Sequence, residues 1–280
     1  MVMNEKIVVW ILNSPLVRSP TIVKIGRVLY RLFRKKYVEI EGRKMFCHGN
    51  DGLALSIFKT YEPSQTQIVK NYVKEGDSVI DVGAHVGYYT LLLSQLVGKT
   101  GKVYAFEPDP KNFELLKKNI EVNGFENVEL IQKAVSNKTE IIKLYLGDED
   151  RATNRIYDAQ LNDTKKSIEI KTISLDEYIK DKKIDFVKID VEGSELGVLK
   201  GMKSIFQENK QIKIITEFFP FLIEKSGNKP KEILKELENL NFEMFEILYK
   251  ESNEKIDVNN YLKKNDVIGK KCTNLLCIRK

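Results

Sequence analysis

The sequence predicts a doubly wound α/β fold on a mostly parallel sheet, and three observations predict it. Residues 77–109, DSVIDVGAHVGYYTLLLSQLVGKTGKVYAFEPD, read as strand, glycine turn, helix, strand and acidic loop in one unbroken unit. Beyond that unit, short β-branched runs keep alternating with helical patterns, as parallel strands joined by crossover helices require. The chain's 280 residues, 42% hydrophobic and 31% charged, suffice for one large α/β domain plus an appendage.

The appendage is residues 1–59 and the main domain residues 60–280. The net charge of +6 is concentrated in the first fifty residues, where ten Lys or Arg face three Glu, giving +7 and leaving −1 for residues 51–280. That distribution is a poor match to a protein whose whole surface binds nucleic acid and a better match to a local patch facing something anionic. Ile22, Ile25, Leu29 and Leu32 recur at helical spacing, with Lys24, Arg27, Arg31 and Arg34 opposite and Pro20 at a first-turn position. Such a basic amphipathic helix either lies on an anionic membrane surface, with Trp10 and the Ile7 to Leu12 run as a further insert, or docks its apolar face on the main domain. Residues 37–59 alternate apolar and polar types and predict a small β-ribbon, with turns at Gly42 and Asp51-Gly52, that covers one end of the sheet. No run approaches the roughly 18 apolar residues of a membrane span. Cys47, Cys272 and Cys277 form no C-x-x-C pair, which argues against a disulfide framework or zinc. A cytoplasmic protein, peripheral at most on the inner membrane face, is the expectation.

In the main domain, Gln65 to Val73 predicts a helix leading into a first strand, Ser78 to Val82. A helix follows over Tyr88 to Val97, then a second strand over Lys102 to Phe106. Pro110, Phe113, Leu116 and Ile120 mark a helix that stops near Asn123-Gly124, before a third strand from Val128 to Gln132. Strand patterns return at 141–146 and 168–173, with a polar stretch of twenty residues, 147–166, between them. A loop of that length is a functional lid or a solvated excursion, and Arg151, Arg155 and Tyr157 are its candidate acceptor contacts. Ser174 opens a short helix with a capping-box-like start. Ile184 to Ile189 is the fourth core strand, and Gln211 to Thr216 another that ends at Glu217. Lys231 to Leu240 reads as helix, and the late strands Phe242 to Leu248 and Cys272 to Ile278 lack a helix of usual length between them, which predicts an antiparallel end.

Charge decides the ligand of the glycine turn. A dinucleotide site uses G-x-G-x-x-G so that backbone N–H groups reach a pyrophosphate, which a carboxylate at the turn would repel. Here the turn is D-x-G-x-x-x-G, with Asp81 at its mouth. S-adenosylmethionine carries a sulfonium and an ammonium, and its ribose offers two hydroxyls to an acid at the end of the second strand, so Asp81 and Glu107 suit it. A nicotinamide cofactor and a ligand-free structural turn are the weaker readings. Lys133-Ala134-Val135, at the end of the third strand, would meet the adenine ring through backbone groups.

Asp81, Glu107, Asp190 and Glu217 all fall where strands give way to the crevice. Four carboxylates there repel one another unless a cation or bound protons offset them. A cationic cofactor answers that; a magnesium site is chemically possible, but no ligand spacing forces one, and no metal is expected. Methyl transfer from a sulfonium needs alignment and exclusion of water, and an alcohol acceptor adds the need for a general base. Asp190, Glu192, Glu195 and His85 are the candidates. Glu192 and Glu195 have a second reading as acids favouring a helix dipole at Gly193 or Ser194. His85 sits inside the glycine turn, where cofactor contact is the better reading than proton transfer.

Residues from about 60 to 250 resemble the FkbM family of S-adenosylmethionine-dependent methyltransferases. The resemblance is carried by Tyr61-Glu62-Pro63, by Asp81-Val82-Gly83-Ala84-His85-Val86-Gly87-Tyr88-Tyr89-Thr90, by Ala105-Phe106-Glu107-Pro108, Lys118-Asn119 and Ser174-Leu175-Asp176, and by Lys188-Ile189-Asp190-Val191-Glu192-Gly193-Ser194-Glu195. It implies a class I methyltransferase fold, Rossmann-like, with a seven-stranded sheet and the cofactor on Asp81, Gly83, Gly87 and Glu107; Ala84 and His85 of the same turn, and Ala134, are further candidate cofactor contacts. It also implies O-methylation of a hydroxyl on a sugar, glycan or polyketide-type product. Glu217 at its strand end, and Arg151 and Arg155 in the 147–166 stretch, are the candidate acceptor contacts. Where the family often has Asn, this chain has His85. A lipid-linked glycan acceptor would account for the basic segment. The competing readings are a cofactor-binding scaffold recruited to a membrane by its basic arm, and a nicotinamide-dependent oxidoreductase. Methylation of a nucleic-acid or protein nitrogen is disfavoured, because no Asn/Asp-Pro-Pro-Tyr/Phe motif follows the fourth strand.

Overall fold

The computed structural model describes residues 37–48, 55, 60–147, 152–161, 166–180, 182–248, 253–258, 261 and 272–280. The basic helix expected at 20–34, the Trp10 run, the Asp51-Gly52 turn and Arg151 lie outside them. The described chain opens with a ribbon of β1 (Val38–Ile40) and β2 (Arg43–Met45), paired antiparallel about Gly42. The nucleotide-binding half follows: α1 (Pro63–Tyr72), β3 (Ser78–Val82), α2 (Tyr88–Val97), β4 (Lys102–Phe106), α3 (Pro110–Val122) and β5 (Val128–Ile131). The core elements β3, α2 and β4 have the bounds the sequence predicts.

The remainder comprises β6 (Ala134–Val135), β7 (Ile141–Leu146), β8 (Lys166–Ile173), α4 (Leu175–Tyr178), β9 (Phe186–Ile189), α5 (Glu195–Lys200), α6 (Lys203–Glu208), β10 (Lys213–Phe218), α7 (Pro220–Lys225), α8 (Pro230–Asn239), β11 (Phe242–Glu246), β12 (Glu254–Lys255) and β13 (Thr273–Arg279). Three details differ from expectation. Glu217 lies within β10 rather than beyond it. The six-residue helices α6 and α7 are too short to show periodicity. Ser174 makes no side-chain cap; its Oγ donates to the Gly201 carbonyl at 3.0 Å instead.

The main sheet runs β12-β11-β13-β10-β9-β3-β4-β5. From β10 to β5 all neighbours are parallel, whereas β13 pairs antiparallel with both β10 and β11. Among the described residues the sheet therefore has eight strands where seven are implied, the eighth being the two-residue edge strand β12. Strand alternation splits the core into two layers. Ile80, Val82, Val187 and Ile214 meet α5, α6 and α8 on one face. On the other, Val79, Val103, Phe186 and Ile215 meet α1, α2 and α3. Strand order reverses between β3 and β9, so the crevice at their C-terminal ends is the switch point where such sheets bind ligands. β6, β7 and β8 form a separate small sheet beside it, and within the 147–166 stretch Arg155 pairs with Tyr145 of β7.

The ribbon's outgoing chain docks on α3. Asn119 accepts from Phe46 N–H at 2.7 Å and donates to Phe46 O at 2.9 Å, while one turn later Asn123 makes the same two bonds to Lys44. Two asparagine amides thus stand in for a neighbouring strand and satisfy backbone groups that would otherwise need one. No described helix is long and apolar enough to cross a membrane.

Candidate active site

At the switch point lies an open cleft. One wall is the turn after β3. Gly83 has φ +82°, and a Cβ there would lie 1.9 Å from the Asp190 carbonyl oxygen, so only glycine lets the turn pass the end of β9. Gly87, at φ +99°, caps α2 and would crowd Leu116 with any side chain. Ala84 and His85 line the cleft between them. His85 is itself left-handed at φ +51°, and its N–H donates to Glu107 Oε2 at 2.9 Å.

Asp81 is fully buried; its Oδ2 accepts from Thr90 Oγ1 at 2.6 Å, and its Oδ1 is buried with no hydrogen-bond partner among the described residues. Burial pushes its carboxyl up, against the pull of Lys188 and Thr90. Glu107 ends β4 and accepts from the N–H groups of His85 and Asp109 and from Asn112 Nδ2. Burial outweighs these bonds and pushes it up to about 7. Ala134 lines the cleft with Lys133 and Val135.

The other wall comes from β9, β10 and the entry to α1. Asp190 lines the cleft with 28% of its side chain exposed, and its Oδ2 accepts from Lys188 Nζ at 3.0 Å. Glu192, left-handed at φ +55°, also lines the cleft, and its carboxylate lies 3.8 Å from the Arg155 guanidinium. Glu195 lies outside the cleft lining. It is buried and accepts from the Val191 and Gly193 N–H groups, fastening the turn that carries Asp190 and Glu192, and burial raises it to about 7. Glu217 lines the cleft, accepts from the Cys272 thiol at 3.1 Å and keeps Oε2 buried without a described partner. Burial first, and then Asp190, Glu192 and Glu195, hold it well above the usual carboxylate range. Arg155 is buried with its guanidinium against Glu192, and Tyr157 OH donates to the Glu192 carbonyl at 2.6 Å.

Glu62 and Lys188 also line the cleft. Glu62, before α1 at φ +44°, accepts from Tyr89 OH, Gln65 and Asn274 and faces the cleft. Lys188 is a lysine at an interior strand position, 3% exposed. Its signal in the sequence was a charge inside an otherwise apolar run, FVKI. Lys188 and the protons favoured on the buried acids are what this chain sets against carboxylate repulsion. No group of three His, Cys, Asp or Glu among the described residues is placed to hold a metal ion.

The sequence matches the methyltransferase FkbM domain over residues 81–244, more than half of the chain. The chain belongs to the FkbM methyltransferase family. Its cofactor half also matches the protein-L-isoaspartate(D-aspartate) O-methyltransferase family over residues 23–134. Among relatives, it is 28% identical to the hexuronic acid methyltransferase AglP of Haloferax volcanii over 202 residues, 71% of this chain and 75% of that protein. It is 40% identical over 57 residues to a protein-L-isoaspartate O-methyltransferase of Methanococcus maripaludis, covering 20% of this chain and 27% of that one. The solved FkbM methyltransferase of Methylobacillus flagellatus is 16% identical with a TM-score of 0.45, over 72% of this chain and 43% of that one.

The FkbM chain is a class I methyltransferase that depends on S-adenosylmethionine, and its residues fit that cofactor. The turn at Gly83 has no room for a side chain, and Asp81 Oδ1 is a buried acceptor awaiting a donor. The scaffold and nicotinamide readings find no support in these matches.

Proposed function

We propose that this FkbM methyltransferase O-methylates a hydroxyl of a sugar, glycan or glycolipid-type acceptor, with Asp190 as general base. The observation that carries the reading is a contrast among the cleft acids. Burial raises Glu62, Glu107 and Glu217, which favours their neutral forms. Asp190 instead has an exposed face and an ammonium 3.0 Å away. A general base must reach the acceptor proton, and among these acids Asp190 is the one that presents an exposed carboxylate face to the cleft while an ammonium fixes its other side.

Bound S-adenosylmethionine supplies the electrophilic methyl group. Asp81, Glu107 and the Gly83–His85 backbone hold it, with Ala134 at its adenine end. Asp190 receives the hydroxyl proton, Glu195 keeps the 191–193 turn in place, and Arg155 restrains Glu192 at the cleft edge. Glu217, favouring its neutral form, offers a donor at Oε2, and Glu62 offers acceptors, so a polyhydroxyl ligand finds both kinds of partner. The similarity to a hexuronic acid methyltransferase supports the sugar class.

The test is methyl transfer from radiolabelled S-adenosylmethionine to a panel of hexosides, hexuronosides, oligosaccharides, RNA and denatured protein. Label on a saccharide, with kcat lowered about 100-fold or more in Asp190→Asn at unchanged S-adenosylhomocysteine affinity, is the expected outcome. Label on RNA or protein alone, or an Asp190→Asn variant of full activity, overturns the reading.

A further inference from the structure

Every other residue of β9 is apolar: Phe186, Val187 and Ile189 are at most 1% exposed. Lys188 occupies the position of that strand which faces α1 and α2, in register with Asp81 on β3. A buried ammonium without partners costs several kcal/mol, so a lysine persists there only where its surroundings repay it. Its surroundings are four groups. Asp190, two residues on, accepts from Nζ at 3.0 Å. Asp81 is its lateral neighbour across the sheet. The Tyr89 ring of α2 has its centroid 4.7 Å from Nζ, and the Tyr89 hydroxyl donates to Glu62, the fourth group. Burial alone would lower the lysine's pKa; Asp190, Asp81 and Glu62 outweigh it and hold the ammonium above its usual range.

Two of these carboxylates belong to different halves of the site: Asp81 to the cofactor and Asp190 to the acceptor. We propose that Lys188 is a positioning residue for both, holding Asp81 as a charged acceptor for the cofactor and fixing Asp190 through Oδ2 so that its other oxygen serves the acceptor. In this role Lys188 acts through the two acids. The Asp190 half rests on the function proposed above, whereas the Asp81 half needs only the cofactor and is tested without an acceptor.

The experiment is calorimetric titration with S-adenosylmethionine and S-adenosylhomocysteine. It compares wild type with Lys188→Met, Lys188→Arg, Asp81→Asn and the double variant Lys188→Met/Asp81→Asn, with thermal midpoints alongside. Lys188→Met should weaken both ligands roughly tenfold or more, and Lys188→Arg should recover most of that loss, because the charge is what matters. The double variant should bind no more weakly than Asp81→Asn alone, since the lysine acts through that acid.

A residue with only a packing role would lower the thermal midpoint and give additive losses, with no recovery in the arginine variant. Where Lys188→Met does not fold, the double variant removes charge and partner together, a change buried pairs tolerate better. Its comparison with Asp81→Asn then decides. Unchanged affinity in a folded Lys188→Met, or additive losses in the double variant, overturns the proposal whatever the acceptor proves to be. Conversely, a failed saccharide assay beside a non-additive binding cycle would remove the sugar reading and leave Lys188 in its role toward Asp81.

Discussion

At Gly83 the chain has no latitude: a methyl group would sit 1.9 Å from the Asp190 carbonyl oxygen, at a φ of +82° that side chains avoid. Gly83→Ala must therefore push β3 and β9 apart at the switch point, and it should cost about 3 kcal/mol or more, read from the urea midpoint. Glu107 yields a prediction in pH. Its folded value, pushed up by burial to about 7, lies above the roughly 4.3 of an unfolded glutamate. The ligand-free fold thus holds this proton more tightly than the unfolded chain does. Its contribution is complete below the unfolded value and is lost as pH rises to about 7, on the order of 3 kcal/mol. Cofactor binding runs the other way, because ribose hydroxyls donate to the ionised carboxylate. S-adenosylhomocysteine affinity should rise roughly tenfold from pH 6 to pH 8, and Glu107→Gln should flatten that rise. Asp81, Gly83 and Glu107 were legible in the sequence because a glycine turn followed by an acid is a local pattern. Lys188 and Glu62 were not, since their importance arises from Asp81, Asp190 and Tyr89, brought to them only by strand pairing and by the packing of α1 on α2.

Among elements, α3 shows how side chains can substitute for secondary structure. Asn119 serves three backbone groups: Phe46 N–H, Phe46 O and, at 2.7 Å, the Val86 carbonyl in the glycine turn. Asn112, seven residues earlier, joins His48 Nε2 at 2.7 Å to Glu107. The ribbon is thereby tied to the glycine turn and to Glu107. Asn119 is fully buried, so Asn119→Ala strands polar groups out of reach of water and should cost about 2–3 kcal/mol in urea unfolding. Asn123 bonds Lys44 in exposed surroundings, and Asn123→Ala should cost under about 1 kcal/mol. Equal losses at the two positions would contradict this account. The helix itself was readable from Pro110 and the Phe113, Leu116, Ile120 spacing. That its polar face receives a strand was not, because asparagines at helical spacing look like any solvated surface.

Across the whole molecule, the alternation of strands and helices and the antiparallel end followed from the sequence, but the insertion of β13 between β10 and β11 did not. Strand order is a long-range pairing choice, and no local pattern in 273–279 encodes which neighbours it takes. Charge is the other property of this scale. Eight Lys or Arg against Glu5 place +7 on residues 1–36, which leaves −1 on residues 37–280. In the sequence the excess therefore precedes both the ribbon and the residues that match the FkbM domain. Each basic residue near an anionic bilayer contributes about 1 kcal/mol, an attraction that salt screens over roughly 8–10 Å. If a lipid-linked glycan is the acceptor, this segment would bring the cleft to the surface that displays it. Deleting residues 1–36 should abolish sedimentation with phosphatidylserine vesicles while leaving S-adenosylhomocysteine affinity within about threefold, and raised salt should release the full-length protein. Vesicle binding that survives the deletion would sink the membrane role. Loss of both kinds of binding would show instead that the segment packs on the main domain and helps to hold the cofactor site.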